Sequence, residues 1–511
     1  MASIRRAHLA PGGKAPSRVP PRRVPPAPAW WRPRAALPRS WPLLLAAILA
    51  GCSVGPSYTR PTVPTPARWR FDRDTSVASF ADVAWWRVFE DTVLHQLIRT
   101  ALRENYDLGQ AIERVRESRA QFVATRGAQF PQVNALAARV DMRMPNILFT
   151  GPPTTQAGGP STIGIITGGL DVSYQVDLWG RLRQATRAAR FQFRASESDR
   201  QSVITTVISD VAQAYFNLLQ LDRVAMVTRR SIETRRASLA LVRRKVQSGL
   251  SSDLDLRQAE QELAAAQAQL PGVERQIAQT EDQISILLGR NPGPVPRGTP
   301  LDEQALPPCV PVGLPSRLLV RRPDIRAAEM RVIAANATTR STLAQFFPQI
   351  SLTGAYSAVS KEFSELLDNK SQSWVLLSLV RVPVFHGGTL RGELDSARAQ
   401  EAEAAIAYAR TVQQAFREVN DALAYQRTAA EARASYQTQV VAARRALQLA
   451  NVRYTEGLGT YLNVLDAERQ LTSAEIDFAS AIGDQFQAVV QLYKALGGGW
   501  DITAPVREGP P

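Results

Sequence analysis

Cysteine is nearly missing: Cys52 and Cys309 are the only two in 511 residues. A disulfide framework is thereby excluded. Beyond residue 51 only His95 and His386 remain, with no second ligand at metal spacing, so a structural or catalytic zinc site is not expected. The alternating glycines of Gly164 to Gly169 follow no phosphate-loop spacing. Met142 and Met144 are too few for a copper path, and the acidic pair Asp253/Asp255 has no nucleophile nearby in sequence. No catalytic site and no cofactor are expected. Acidic residues are absent from positions 1 to 51, which hold nine basic ones, so the formal net charge of +15 falls to +6 (15 − 9) for the rest of the chain. No basic stripe interleaved with aromatics appears there, which argues against a nucleic-acid partner.

The most telling absence is local. Residues 181 to 248 contain neither glycine nor proline, nor do residues 393 to 456, in a chain that holds 30 glycines and 34 prolines. A helix of that length reaches roughly 100 Å at about 1.5 Å per residue. Each run is preceded and followed by glycine: Gly180 and Gly249, then Gly392 and Gly457.

What is present begins with a leader. Arg32, Arg34 and Arg39 precede the apolar run Leu43 to Ala50, too short to span a bilayer as a stable helix, which reads as a secretory signal over residues 1–51. Leu49-Ala50-Gly51-Cys52 matches a lipobox, making Cys52 the expected site of a covalent N-terminal lipid. The prolines of residues 53 to 68 favour an extended tether, assigned to 52–82. Cys309, in a Pro-rich connector, is read as structural.

Helical spacing over Glu90 to Gln129 stops at Phe130-Pro131-Gln132. From Leu136 to Met144 apolar residues then alternate with Arg139, Asp141 and Arg143, and from Leu170 to Leu178 the alternation has no miss. Strands of this kind suit either a tilted membrane strand between lipid and water or a half-buried soluble hairpin. After the first long run, Gly249-Leu250-Ser251-Ser252 turns the chain into a helix with a heptad seam, Leu256, Ala259, Leu263, Ala266, Leu270, Val273, Ile277, Thr280, Ile284 and Leu287. A kink or break is expected at Pro271-Gly272.

The second half repeats the first. Phe347-Pro348-Gln349 echoes Phe130-Pro131-Gln132, two alternating segments come after it (Ile350 to Ser357 and Trp374 to Val384), and Gly457-Leu458-Gly459-Thr460 answers Gly249-Leu250-Ser251-Ser252 at an offset of 208. The fold class is therefore α+β, a duplicated strand-strand-helix-helix unit, with repeats at 83–311 and 312–497 and a tail at 498–511. The last helix carries two apolar stripes about 200° apart, one through Val464, Ala467 and Leu471, the other through Leu465, Arg469 and Thr472, so it needs partners on two opposed sides. Four strands cannot close a barrel in lipid. Three copies, giving about twelve strands, form the smallest sensible barrel around a lumen open to solutes.

Several motifs together resemble the outer-membrane efflux protein family, the TolC-like channels, and within it the lipoprotein branch that serves RND-type pumps. They are Gly51-Cys52-Ser53-Val54-Gly55-Pro56-Ser57-Tyr58, Leu287-Leu288-Gly289-Arg290-Asn291-Pro292, Gly313-Leu314-Pro315-Ser316 with Arg322-Pro323-Asp324-Ile325-Arg326 and Glu329, and Tyr454 with Tyr461-Leu462-Asn463-Val464-Leu465-Asp466-Ala467. The resemblance implies a homotrimer with a twelve-stranded outer-membrane barrel and a long periplasmic helical barrel. It implies a passive exit duct for drugs or other small solutes, working with a periplasmic adaptor and an inner-membrane RND pump. Ser53 after the lipidated cysteine implies sorting to the outer membrane. By match, Leu462 and Asp466 look like the periplasmic aperture with Tyr454 in the adjoining network, and the turns at Gly249, Leu250, Ser251, Ser252 and Gly457, Leu458, Gly459, Thr460 look like the adaptor-docking sites. Asp253 and Leu254 are the expected first-repeat counterparts of the aperture pair. On the residues alone, Asp466 reads first as an acid favourable at a helix N-terminus. Two other readings stay open: a type I protein-secretion duct, and a lipid-anchored periplasmic coiled-coil scaffold.

Overall fold

A computed structural model describes residues 54–71, 89–144, 161–306 and 312–499. Cys52, Cys309, the leader and most of the tail lie outside them. The two Gly/Pro-poor runs form helices of equal length, α3 (Arg181–Gln247) and α7 (Thr389–Thr455), of 67 residues each. Each is succeeded by a helix of 35 residues, α4 (Asp253–Leu287) and α8 (Tyr461–Ala495). Starts and ends shift together, from 181 to 389 and from 253 to 461, which is 208 positions in both cases.

Gly180 gives α3 no capping side chain, and Asp177, at the end of the preceding strand, supplies one. Its carboxylate accepts from the backbone N–H groups of Leu182 (3.1 Å) and Arg183 (2.8 Å), meeting donors that every helix start leaves open. The expected first helix is two, α1 (Thr92–Glu104) and α2 (Tyr106–Gly127). Asn105 divides them, because it leaves the helical region to cap Leu108 N–H (2.9 Å) while its amide donates to Leu287 O (2.9 Å). Pro271, by contrast, lies inside α4, which continues through Pro271-Gly272 without a break. A proline forfeits one ladder bond, and the packing of α4 along α3 holds the helix on either side of it.

The second repeat opens with α5 (Pro315–Arg321) and α6 (Pro323–Leu343). The middle of α3 packs against α8 and the segment leading into α1 through Phe216, which stacks on Phe486 at 4.7 Å and meets Phe89 at 5.0 Å. α8 lies between α7 and α3, and both its stripes are largely buried in one chain, so the two-sided partnership read from the sequence is met within the protomer. The Arg322 guanidinium holds the start of α6 to α7 and α8, reaching Asp324 (2.6 Å), Glu418 (2.7 Å) and the Ala495 carbonyl (2.9 Å). Tyr58 and Arg60 of the tether both reach Glu329, Arg60 at 2.8 Å.

Gly289 occupies φ +70, and a β-carbon there would sit 2.1 Å from the Glu104 carbonyl oxygen. Gly289→Ala is expected to destabilise the junction of α1 and α4 by about 1–3 kcal/mol; thermal unfolding monitored by circular dichroism in detergent checks it.

The four strands, β1 (Gln132–Met144), β2 (Ser161–Val176), β3 (Gln349–Ser360) and β4 (Gln372–Arg381), form one antiparallel sheet in that order. β1 and β4 are its edges. The register sets how the faces of neighbouring strands join. Leu136 pairs with Gly169 and Val140 with Ile165, so the apolar set of β1 shares a face with the polar set of β2, Asp171 and Ser173, and not with Leu170 and Val172. Pairing decides the face. At the foot of β1 it is Val133 and Ala135 that continue the apolar face of Leu170, Tyr356 and Trp374, while Asn134 donates to Asp171 (3.0 Å) on the other.

Candidate functional site

The turns at the far ends of the long helices share one construction. Gly249 (φ 72) and Gly457 (φ 74) adopt the left-handed conformation that ends a helix without a β-carbon clash. In each, the N–H two residues beyond the cap reaches back five positions, Leu250 to Lys245 O (2.8 Å) and Leu458 to Arg453 O (2.7 Å). The two helix starts beyond these turns differ. Ser252 caps α4 in a reciprocal pair with Asp255, whereas Thr460 makes no side-chain cap to α8. Burial alone would raise the Asp255 carboxyl, but hydrogen bonds from Ser251 and Ser252 outweigh it and hold it below the usual range. Asp255 is committed to its cap. Leu250 and Leu458 stand exposed at the two turns, at 77% and 71%.

Just above the turns a small apolar cluster, separate from the main core, joins all four long helices. Val242 of α3, Ala259 of α4 and Tyr461, Val464 and Leu465 of α8 form it, with Tyr454 of α7 packed against them. Tyr454 rests on Tyr461 (ring centroids 5.4 Å apart), and the Lys245 ammonium lies 4.0 Å from its ring centre. The Tyr454 hydroxyl is buried without a hydrogen-bond partner.

Leu462 and Asp466 point away from this cluster. They are exposed, Leu462 at 52% and the Asp466 side chain at 62%, one helical turn apart on α8, with Arg469 3.9 Å from Asp466. Leu254 is exposed as well, and the constant offset of 208 makes it the counterpart of Leu462. That offset sets Asp253 against Tyr461 and Gln258 against Asp466, which corrects Asp253 as the counterpart of Asp466. Asp253 instead pairs with Arg257 at 3.6 Å.

Further from the turns than the cluster, an ionic bridge that the sequence pattern did not disclose joins α3, α4 and α8. Glu262 of α4, almost fully buried, receives Arg235 of α3 (3.0 Å) and Arg469 of α8 (2.9 Å). The hydrogen bonds of Arg469, with the charge of Arg235 behind them, hold the Glu262 carboxyl below its ordinary range. Glu468 beside it takes one hydrogen bond from Ser238 (3.0 Å), and burial pushes its carboxyl up. The signal was Arg469 itself, a charge in an otherwise apolar stripe, which needs an acid facing it. Among the described residues no cluster suited to a metal ion occurs, and no helix is long and apolar enough to cross a membrane.

Helix pairs far longer than a globular core needs, standing beneath an amphipathic sheet, define a duct-type membrane protein rather than an enzyme. The model of the outer membrane efflux protein family matches residues 97–290 and 314–498. The chain belongs to that family. It is 36% identical over 475 residues to the solvent efflux pump outer membrane protein SrpC of Pseudomonas putida, covering 91% of this chain and 99% of that protein. It is 34% identical over 462 residues to the outer membrane protein OprJ of Pseudomonas aeruginosa, covering 90% and 95%. The open-state crystal structure of the Neisseria gonorrhoeae MtrE outer membrane channel superposes with a TM-score of 0.80 at 32% identity, over 88% of this chain and 99% of that one. The chain is thus the outer-membrane channel of an efflux pump, a transport duct without enzymatic chemistry, seated in the outer membrane and extending into the periplasm.

Proposed function

We propose that three copies close into one passive duct, a twelve-stranded barrel above and a helical barrel below, acylated at Cys52 and narrowed at its periplasmic tip by Leu462 and Asp466. The observation that carries this is the sheet: β1 and β4 each leave an edge without a partner in the described chain, and open edges are not tolerated in lipid. β4 of one copy pairs with β1 of the next. A second surface supports the closure, since α7 exposes Ile406, Val441, Leu449 and Val452 on a helix otherwise packed against α8 and α6. Three copies of Asp466 around an axis make an anionic ring that favours cations, and Tyr454 sits in the helix-end network behind it. The turns Gly249 to Ser252 and Gly457 to Thr460, with Leu250 and Leu458 outermost, receive the periplasmic adaptor, and an inner-membrane RND pump supplies the energy. Relatives named for solvent and toluene efflux support small, weakly polar solutes as cargo.

Chemical crosslinking in cells and then purification of the chain tests this. An adaptor and an RND pump are expected with a trimeric band that resists heating in detergent. A monomer released by aqueous wash, with neither partner, overturns it.

A further inference from the structure

The register of the sheet places charge and greasiness in an order that the duct does not require. One face carries Leu170, Tyr356, Trp374 and Leu376 through its lower half, then Arg139 and Asp141, ion-paired at 3.1 Å, further up β1. The other carries Ser173, Gln175, Gln349, Thr353 and Arg381 at its foot, with Leu377 and Leu379 of β4 beside them, around a cavity of about 490 Å³. Polar side chains turn to the lumen of a membrane barrel and apolar ones to lipid, so the cavity face is the inner wall. On that same inner face, above Asp171, β1, β2 and β3 also turn apolar. Leu136, Val140 and Met142 of β1, Ile165 of β2 and Val359 of β3 are all exposed, by 39 to 60%, and the interleaved positions are Ala138, Thr167 and Gly169. None of these carries a charge.

We propose that this inner apolar wall of the outer mouth is a contact surface for uncharged, hydrocarbon-like solutes on their way out. The inference rests on the trimeric duct and deepens it by naming the class of cargo that the mouth favours. A contiguous apolar patch kept in water is costly and marks a binding surface; among the described residues nothing covers it, and it faces what passes through the lumen. An aromatic hydrocarbon gains by leaving water for that wall, in proportion to the apolar surface covered. A hydrated ion gains nothing. Contacts of this kind are weak enough for release, as conduction demands. The Arg139–Asp141 pair lies on the outer face and leaves the wall uncharged.

Two measurements test it. In a Cys309→Ser chain, Leu136→Cys and Val140→Cys are expected to react in intact cells with a membrane-impermeant maleimide, while Leu170→Cys and Trp374→Cys do not; the reverse pattern overturns the facing. In planar bilayers, toluene near its aqueous saturation is expected to lower the single-channel current of the wild type. A Leu136→Ser/Val140→Ser double variant keeps the unblocked conductance and loses most of the block. Equal block in both, or none in the wild type, overturns the apolar wall while leaving the duct standing. Absence of any channel overturns the duct and the wall together.

Discussion

Glu262→Ala lowers stability by about 3–5 kcal/mol, the cost of removing one partner from a buried ion pair. Three features put it at the upper end for a single substitution. Among the described residues Glu262 is the one acid that ion-pairs with the Arg235 guanidinium, and Arg235 is itself 8% exposed. Removing the carboxylate leaves that cation desolvated, with its bond to the Glu262 backbone carbonyl (2.8 Å) as the remaining contact there. The same carboxylate also ties Arg469 of α8, so α3, α4 and α8 lose their common polar contact at once. Thermal unfolding by circular dichroism in detergent reads the loss, and Arg235→Met with Glu262→Leu separates charge from packing. The double change regains most of the stability if an orphaned cation is the cause, because a well-packed apolar pair can replace a buried ionic one. Equal melting of Glu262→Ala and the wild type sinks the argument.

The pH dependence of this bridge has two opposite parts. The Glu262 carboxyl is lowered in the folded chain, so its contribution is present above the unfolded value, about 4.3 for glutamate, and disappears as pH falls through the folded value. The Glu468 carboxyl is raised. Its burial costs nothing below the unfolded value and penalises the fold as pH climbs from there through the folded one. Glu468→Gln is therefore expected to flatten the neutral side of the stability profile and leave the acid limb in place.

How far the chain could be read without coordinates depends on what kind of signal each element leaves. The long helices were legible because α3 and α7 exclude glycine and proline almost throughout, and the turns because Gly249 and Gly457 must adopt positive φ. The split at Asn105 was hidden, since an asparagine inside a helical period signals a cap only when a carbonyl such as Leu287 O waits beside it. Strand existence was legible from alternation, but the facing of β1 was not. Period-two patterns say that two faces differ and say nothing of which neighbour face each joins. The same limit hid the ionic bridge: Arg235, Glu262 and Arg469 stand on three helices up to 234 positions apart (469 − 235), and only packing brings them together. The proposed aperture pair, Leu462 and Asp466, comes from family resemblance. In the chain, exposure distinguishes Leu462 and Asp466 from the buried Val464, Leu465 and Ala467 beside them.

That exposure sets the other large effect. Leu462→Ala with Asp466→Ala is expected to raise single-channel conductance in planar bilayers several-fold. In the closed trimeric ring proposed above, the three Leu462 side chains are the bulk assigned to the axis, and truncation to alanine removes three carbons from each. Asp466, assigned to the same proposed ring, lies 3.9 Å from Arg469 on its own helix. Neither residue is part of the cluster that holds the four helices together, whose buried members are Val242, Ala259, Tyr461, Val464 and Leu465. A double alanine change therefore costs little stability, because exposed side chains away from such clusters contribute within about 0.5 kcal/mol. Conductance and melting should accordingly separate. Tyr461→Ala makes the contrast, for it removes a buried ring packed on Tyr454 and is expected to lower the melting temperature together with any change in current. If the Leu462/Asp466 variant conducts like the wild type, the constriction lies elsewhere on the tip. Leu254, the exposed partner of Leu462 in the first repeat, is then the next residue to truncate.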